Sequence, residues 1–135
     1  MRRKLLLDTA GLLALFDEDD ARHQPASAIF AEVRPLVTTN YVLAEFVPLT
    51  QVRGLSREKS LRFLQALVLL PRLELCWVDD RLHQAAMDLL ERRLDKTYSL
   101  CDAVSFVLMR ERQFNEALTT DKHFVQVGFQ RLLEP

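Results

Sequence analysis

Four acidic residues in apolar surroundings constrain the fold of this chain more than any other feature. Asp8 follows the run 5–7, Glu45 lies within 41–47, Asp102 lies within 100–104, and Asp121 follows 117–120. Burying an isolated ionised carboxylate costs on the order of several kcal/mol, and no Lys or Arg lies inside these runs. The fold is therefore expected to bring the four carboxylates together around a shared divalent cation.

The composition predicts a single domain over residues 1–135. Hydrophobic residues make up 49% and charged residues 27%, which suffices for a core and excludes a disordered chain. The formal net charge of −1 gives no global basic field, so any nucleic acid must be bound locally. Cys76 and Cys101 lie in apolar stretches and are predicted to be reduced core residues of a cytoplasmic protein. Asp8 ends the first apolar run too early for a secretory signal, and no run is long enough to span a membrane.

Short apolar runs alternate with helical patterns along the chain. Strands are predicted at 4–7, 36–38, 73–78 and 117–119, and helices at 56–70 and 80–93. Ser56 is the expected N-cap of the helix at 56–70. This alternation indicates an α/β fold with a mostly parallel sheet covered on both faces. In such sheets ligands bind beyond the carboxyl ends of the strands.

The four carboxylates fall near that edge of the predicted sheet. Asp8 and Asp121 each follow a strand, and Asp102 lies in the first turn of a helix opened by Ser99. Glu45 lies about one turn into a helix that begins near Asn40. A second interpretation is that each acid only caps a helix, with Ser99 and Asp102 forming a capping box. Glu45 lies beyond the capping positions, which favours convergence.

These residues carry a family resemblance. Leu7-Asp8-Thr9 and the segments 39–45, 99–106 and 118–124 resemble, in order and spacing, the successive motifs of PIN-domain nucleases. The chain is most similar to the small stand-alone PIN proteins of the VapC type, toxins of bacterial and archaeal toxin-antitoxin pairs, and the resemblance covers residues 5–133. Two positions depart from the family pattern: Cys101 stands where many relatives carry Thr, and His123 where many carry a further Asp.

The resemblance implies a three-layer α/β/α fold and a metal-dependent endoribonuclease that uses one or two Mg²⁺ or Mn²⁺ ions. Carboxylates suit these hard ions, which stabilise phosphoryl charge and activate water. Asp8 and Asp102 are expected to bind the principal metal, Glu45 to orient a metal-bound water, and Asp121 to complete the site. Residues expected to support these carboxylates or contact substrate are Thr9, Asn40, Ser99 and Thr119. For each of them a capping or strand role is an equal alternative.

Partners follow from the same reasoning. RNA is the expected substrate, and four cations are candidates to contact its phosphates: Arg53, Arg57, Lys96 and Lys122. Segments 41–49 and 55–70 carry more apolar residues than one helix face needs, which predicts a homodimer. The resemblance adds an antitoxin protein that covers the active cleft.

Three other functions compete with this interpretation. A PIN-like module without catalysis would bind RNA or a protein partner. A phosphatase of the haloacid-dehalogenase type needs a second Asp two residues after the first, but Ala10 stands there. A phosphorelay receiver needs an acidic pair before Asp8, and none is present.

Overall fold

The computed structural model describes residues 3–135, which fold around a central sheet of five parallel strands. The strands are β1 (Leu5–Leu7), β2 (Leu36–Thr39), β3 (Leu73–Cys76), β4 (Glu116–Leu118) and β5 (Gln130–Arg131). Their order across the sheet is β3-β2-β1-β4-β5, and every pairing is parallel. The strand that precedes Asp8 is therefore the central one, with the strand that precedes Asp121 beside it.

Seven helices connect and cover the strands within the described residues. They are α1 (Thr9–Phe16), α2 (His23–Phe30), α3 (Asn40–Val52), α4 (Arg57–Val68), α5 (Asp80–Arg92), α6 (Leu100–Glu111) and α7 (Lys122–Gln126). Side-chain N-caps determine where several helices begin: Ser56 is the N-cap of α4, Asp79 of α5 and Ser99 of α6. Between residues 3 and 135 no helix has both the length and the apolar character that crossing a bilayer requires.

Alternating strand side chains build a core on each face of the sheet. Leu5 and Leu7 point into a core formed with α1 to α4, whereas Leu6 points into a second core with α5 and α6. All three leucines have no exposed surface. Two cores on opposite faces make three layers, so the predicted α/β/α architecture with a parallel sheet is confirmed.

The strand predictions were accurate except at the edges of the sheet. The four predicted strands exist, and Ser56 caps its helix as expected. The strand predicted at 73–78 ends at Cys76, because the Val78 amide donates to the side chain of Asn40 (2.7 Å) instead of a neighbouring strand. β5 and α2 were not predicted.

Gly11 sets how closely α1 approaches the sheet. A Cβ atom at this position would lie 2.0 Å from the carbonyl oxygen of Leu118 at the end of β4. The same carbonyl accepts a hydrogen bond from the Asp8 amide (3.3 Å). Only glycine permits this approach, which places the start of α1 against the segment that carries Asp121.

Candidate active site

Asp8 lies at the junction of β1 and α1 with its side chain turned toward the end of β4. It is 4% exposed, and although it occupies the N-cap position its carboxylate makes no capping hydrogen bond. Instead its Oδ2 accepts a hydrogen bond from the Thr119 hydroxyl (2.7 Å), and Thr119 Oγ1 accepts one from the Asp121 amide (3.0 Å). The Thr119 hydroxyl thus joins the two acidic segments.

Asp102 combines the two roles that the sequence left open. The Asp102 amide donates to Ser99 Oγ (2.9 Å) and its Oδ2 accepts from the Ser99 amide (3.1 Å), which is a capping box at the start of α6. The same Oδ2 accepts from Nδ1 of His123 (3.0 Å). The capping box therefore holds Asp102 in an orientation in which it also faces the other site residues.

Asp121 and His123 complete a cluster at the start of α7. Asp121 caps this helix by accepting from the His123 amide (2.9 Å), and its Oδ1 lies 3.4 Å from the ring nitrogen Nδ1 of His123. One ligand atom from each of Asp102, Asp121 and His123 lies within 4.8 Å of the other two. These three side chains converge closely enough to hold one metal ion.

The electrostatics of the site favour a cation. Burial is the main cause that raises the pKa of Asp8 to about 7; the nearby charges of Asp102 and Asp121 add to it, and the Thr119 hydrogen bond opposes it. Burial also raises the pKa of Asp102. Within residues 3–135, the ion pairs of these acids involve only His123 and no Lys or Arg. Uncompensated buried carboxylates destabilise the ionised site, and a bound cation would remove that penalty.

Glu45 lies beside this cluster without joining it. Its carboxylate, on α3, is half-buried. The pKa of the Cys101 thiol is raised mainly by burial, and the negative charges of Glu45, Asp8 and Asp102 contribute to the same increase. Cys101 is buried as predicted. Thr9 is also buried, and its hydroxyl has the Cys101 thiol beside it and no hydrogen bond of ordinary geometry. Glu45 thus lies close enough to Cys101 on α6 to act on its thiol, but it is not one of the three residues whose ligand atoms converge.

Asn40 has a different role from the capping role considered for it. Thr39 is the residue that caps α3, accepting a hydrogen bond from the Val42 amide (3.2 Å). The Asn40 side chain instead accepts from Val78 and holds the segment after β3. The capping interpretation of Asn40 was wrong, because Asn40 is already the first residue of α3 and the N-cap position before it is occupied by Thr39.

The candidate cations divide into two groups. Lys96 and Lys122 are close to the cluster along the chain: Lys96 precedes Thr97, whose hydroxyl lies 3.2 Å from Nε2 of His123, and Lys122 lies between Asp121 and His123. Arg53 follows α3, ~20 Å along the helix from Asn40, and forms an ion pair with Asp20 (3.2 Å). Arg57 begins the next helix beyond it. The two arginines therefore lie away from the acidic cluster.

The sequence reasoning missed His123 as a member of the cluster. It was identified as a departure from the family pattern and as a residue that could contact substrate or cap a helix, but not as a metal ligand. Its position two residues after Asp121 was the available signal, because an N-cap Asp accepts a hydrogen bond from the amide at that position, which brings its carboxylate beside His123.

The donor set fits a divalent metal ion. Asp102 and Asp121 offer carboxylate oxygens and His123 a ring nitrogen, with the carboxylate of Asp8 held beside them through Thr119. Oxygen-rich sets of this kind suit Mg²⁺ and Mn²⁺.

Comparison with known proteins agrees with this geometry. The family model of the PIN domain matches residues 5–130. The chain belongs to the PIN-domain family. This PIN domain is 32% identical, over 126 residues, to the 23S rRNA-specific endonuclease VapC20 from two strains of Mycobacterium tuberculosis. That alignment covers 93% of this chain and 95% of VapC20.

Solved structures show the same fold. The crystal structure of M. tuberculosis VapC20, described as a Sarcin-Ricin loop cleaving toxin, superposes with a TM-score of 0.86 at 28% identity, covering 96% of this chain and 98% of that one. VapBC2 from Rickettsia felis, bound to a DNA fragment from its promoter, gives a TM-score of 0.63 at 14% identity, with 93% of each chain covered. The second likeness concerns the fold of the PIN domain alone.

Proposed function

We propose that this PIN domain is a metal-dependent endoribonuclease and the toxin of a toxin-antitoxin pair. The observation that carries the proposal is the set of buried carboxylates at the carboxyl edge of the sheet, with no Lys or Arg paired to them in residues 3–135. Family membership and the similarity to VapC20 support the same reaction class.

The site residues would have different roles in phosphodiester hydrolysis. Asp8, Asp102 and Asp121 would hold Mg²⁺ or Mn²⁺, which when bound supplies charge stabilisation for the phosphoryl oxygens and an activated water. Glu45 would orient the attacking water from the adjacent helix α3. Thr119 holds the Asp8 carboxylate, and the capping box with Ser99 holds Asp102. Both supports keep the carboxylates in place before substrate arrives.

The RNA substrate would contact cations and an aromatic ring at the carboxyl edge of the sheet. Lys96 and Lys122, which are close to the cluster along the chain, would neutralise phosphates. Trp77 is 71% exposed and follows β3, two strands from β1, which places it ~10 Å across the sheet from Asp8. That separation suits stacking on a base one or two nucleotides from the cleaved bond. Trp77→Ala is expected to raise KM by about tenfold with kcat retained, whereas Trp77→Phe should keep most of the affinity.

The test is cleavage of a defined RNA by purified protein. Because the similar VapC20 is described as cleaving the Sarcin-Ricin loop, a hairpin carrying that loop is the first substrate to use. Wild-type protein is assayed with Mg²⁺, with Mn²⁺ and with EDTA, beside Asp8→Asn. Asp88→Asn, on the exposed surface of α5, makes the same charge change outside the site.

Cleavage that is lost with EDTA and in Asp8→Asn, and retained in Asp88→Asn, is the expected result. Full activity in folded Asp8→Asn would refute the proposed mechanism. Absence of cleavage of this hairpin and of a mixed pool of structured RNAs would favour the alternative, a catalytically inactive PIN-like module that binds RNA or protein.

Partners and location complete the proposal. Exposed apolar residues on α4 and just after it, Leu61, Val68 and Leu69, support a homodimer. Similarity to VapC toxins supports an antitoxin protein that covers the cleft, and a cytoplasmic location where that pair meets RNA.

A further inference from the structure

His123 places a nitrogen donor inside a cluster otherwise made of carboxylates. Its Nδ1 lies 3.0 Å from Asp102 Oδ2 and 3.4 Å from Asp121 Oδ1, so all three atoms face one point. The side chain of His123 is 17% exposed, compared with 10% for Asp102 and 28% for Asp121. An ion held between the two carboxylates would therefore also contact the imidazole nitrogen.

The surroundings of the ring hold it in the orientation that a ligand needs. Its second nitrogen, Nε2, lies 3.2 Å from Thr97 Oγ1, which can accept the Nε2 proton and leave Nδ1 free to bind a cation. The Tyr98 ring packs edge-on against the imidazole, with the ring centroids 5.2 Å apart. Metal-binding histidines commonly donate their other N–H to such a neighbouring acceptor. Thr97 and Tyr98 together fix the ring orientation. For Nδ1 to bind a cation, it must give up the proton that it donates to Asp102, and the ring proton then lies on Nε2, which faces Thr97.

We infer that His123 Nδ1 is a direct ligand of the catalytic ion and that it makes this site prefer Mn²⁺ over Mg²⁺. The inference rests on the metal dependence in the proposed function. Mg²⁺ binds oxygen donors and is poorly served by imidazole, whereas affinity for nitrogen-containing sites increases along the transition metals. The ratio of Mn²⁺ affinity to Mg²⁺ affinity is therefore higher for a site with one imidazole among carboxylates than for an all-carboxylate site.

A different role for His123 makes different predictions. The ring could serve only as a hydrogen-bond donor that holds Asp102. In that role no nitrogen contacts the metal, and replacing the ring changes the affinities for Mg²⁺ and Mn²⁺ by the same factor.

Pulsed electron paramagnetic resonance of Mn²⁺ bound to the RNA-free protein separates the two roles, because a directly bound imidazole gives a nitrogen hyperfine signal. The chain has three histidines, at positions 23, 83 and 123. His123→Phe keeps an aromatic ring against Tyr98 but removes the nitrogen, and His83→Phe is the matched control on α5. Calorimetry with MnCl₂ and MgCl₂ then compares wild type with His123→Asp, which offers oxygen in place of nitrogen.

A nitrogen signal in wild type and His83→Phe that disappears in His123→Phe is expected. The ratio of the Mg²⁺ Kd to the Mn²⁺ Kd should fall by about tenfold or more in His123→Asp. A wild-type spectrum without nitrogen coupling, or an unchanged ratio, would overturn the inference. If metal-dependent RNA cleavage were still observed in that case, the proposed function would stand. If nitrogen coupling were observed in a protein that cleaves no RNA, the proposed function would be refuted, but the assignment of His123 as a metal ligand would stand.

Discussion

At the scale of single residues, the buried carboxyl of Asp8 links the stability of the metal-free protein to pH. Its pKa is about 7 in the folded chain and 3.8 as the ordinary value. Below pH 3.8 it is protonated in both states and burial carries no charge penalty. Between these values the unfolded chain loses the proton first, so the free energy of unfolding falls as pH rises and levels off above about 7.

This linkage predicts the behaviour of Asp8→Asn. The difference between 3.8 and about 7 corresponds to a loss of ~4 kcal/mol for the wild type. Urea unfolding in EDTA at pH 5 and pH 8 should show most of that loss in wild type and little of it in Asp8→Asn. Equal pH dependence in both proteins would exclude Asp8 as the source, and Asp88→Asn should behave as wild type. Added Mn²⁺ should reduce the loss, because it compensates the buried charge.

Thr119 gives a second prediction, on activity. Its hydroxyl donates to Asp8 and accepts from the Asp121 amide, so Thr119→Val leaves both groups unpaired. A loss of about 10- to 100-fold in kcat is expected, with near-wild-type activity in Thr119→Ser, which keeps the hydroxyl. Thr120→Val, at the adjacent half-buried position, is the matched control. Unchanged kcat in Thr119→Val would show that the hydrogen bonds do not position the carboxylates.

The sequence indicated some site residues and not others for physical reasons. Asp8 and Asp102 were recognisable because apolar neighbours make an acidic side chain conspicuous. His123 lies between Lys122 and Phe124 and had no such signal, since its role depends on where α7 begins. The distance between Glu45 and the cluster depends on the packing of α3 against α6, which no local pattern encodes.

At the scale of elements, Gly11 controls the position of α1. An alanine there would place its Cβ 2.0 Å from the Leu118 carbonyl oxygen, so the helix must move away from β4. Gly11→Ala is expected to destabilise the fold by about 1–3 kcal/mol and to lower activity, because Asp8 moves with the helix. Urea midpoints and the cleavage assay measure both effects. In a helix with free space the same change stabilises by about 0.5–1 kcal/mol, so an increase in stability would contradict the close approach.

Elements with strong apolar runs were predictable, and those fixed by tertiary contacts were not. β1 and β4 are buried on both faces and are recognisable as short apolar segments. β5 has two residues, one exposed and one half-buried, and exists because it pairs with β4. The end of β3 depends on the Asn40 side chain, a contact 38 residues away in the sequence.

At the scale of the whole molecule, the exposed apolar surface of α4 predicts the oligomeric state. Leu61 and Val68, seven residues apart on one helix face, are 38% and 39% exposed. Sedimentation equilibrium is expected to show a dimer for wild type and a monomer for Leu61→Glu combined with Val68→Glu. Leu94→Glu, at a position 86% exposed before α6, should remain dimeric. A wild-type monomer at high concentration would refute the dimer.

The hydrogen bond between Asp8 and Thr119 spans 111 residues of sequence. β1 is the first strand of the chain, but its neighbour β4 and the segment with Asp121 and His123 are among the last elements. Fragments that end before residue 119 therefore retain Asp8, Glu45 and Asp102 but lack half of the centre. The carboxylate cluster therefore cannot assemble until residues 119–123 have joined β1, and shortened chains that end before residue 119 are expected to be unable to form it.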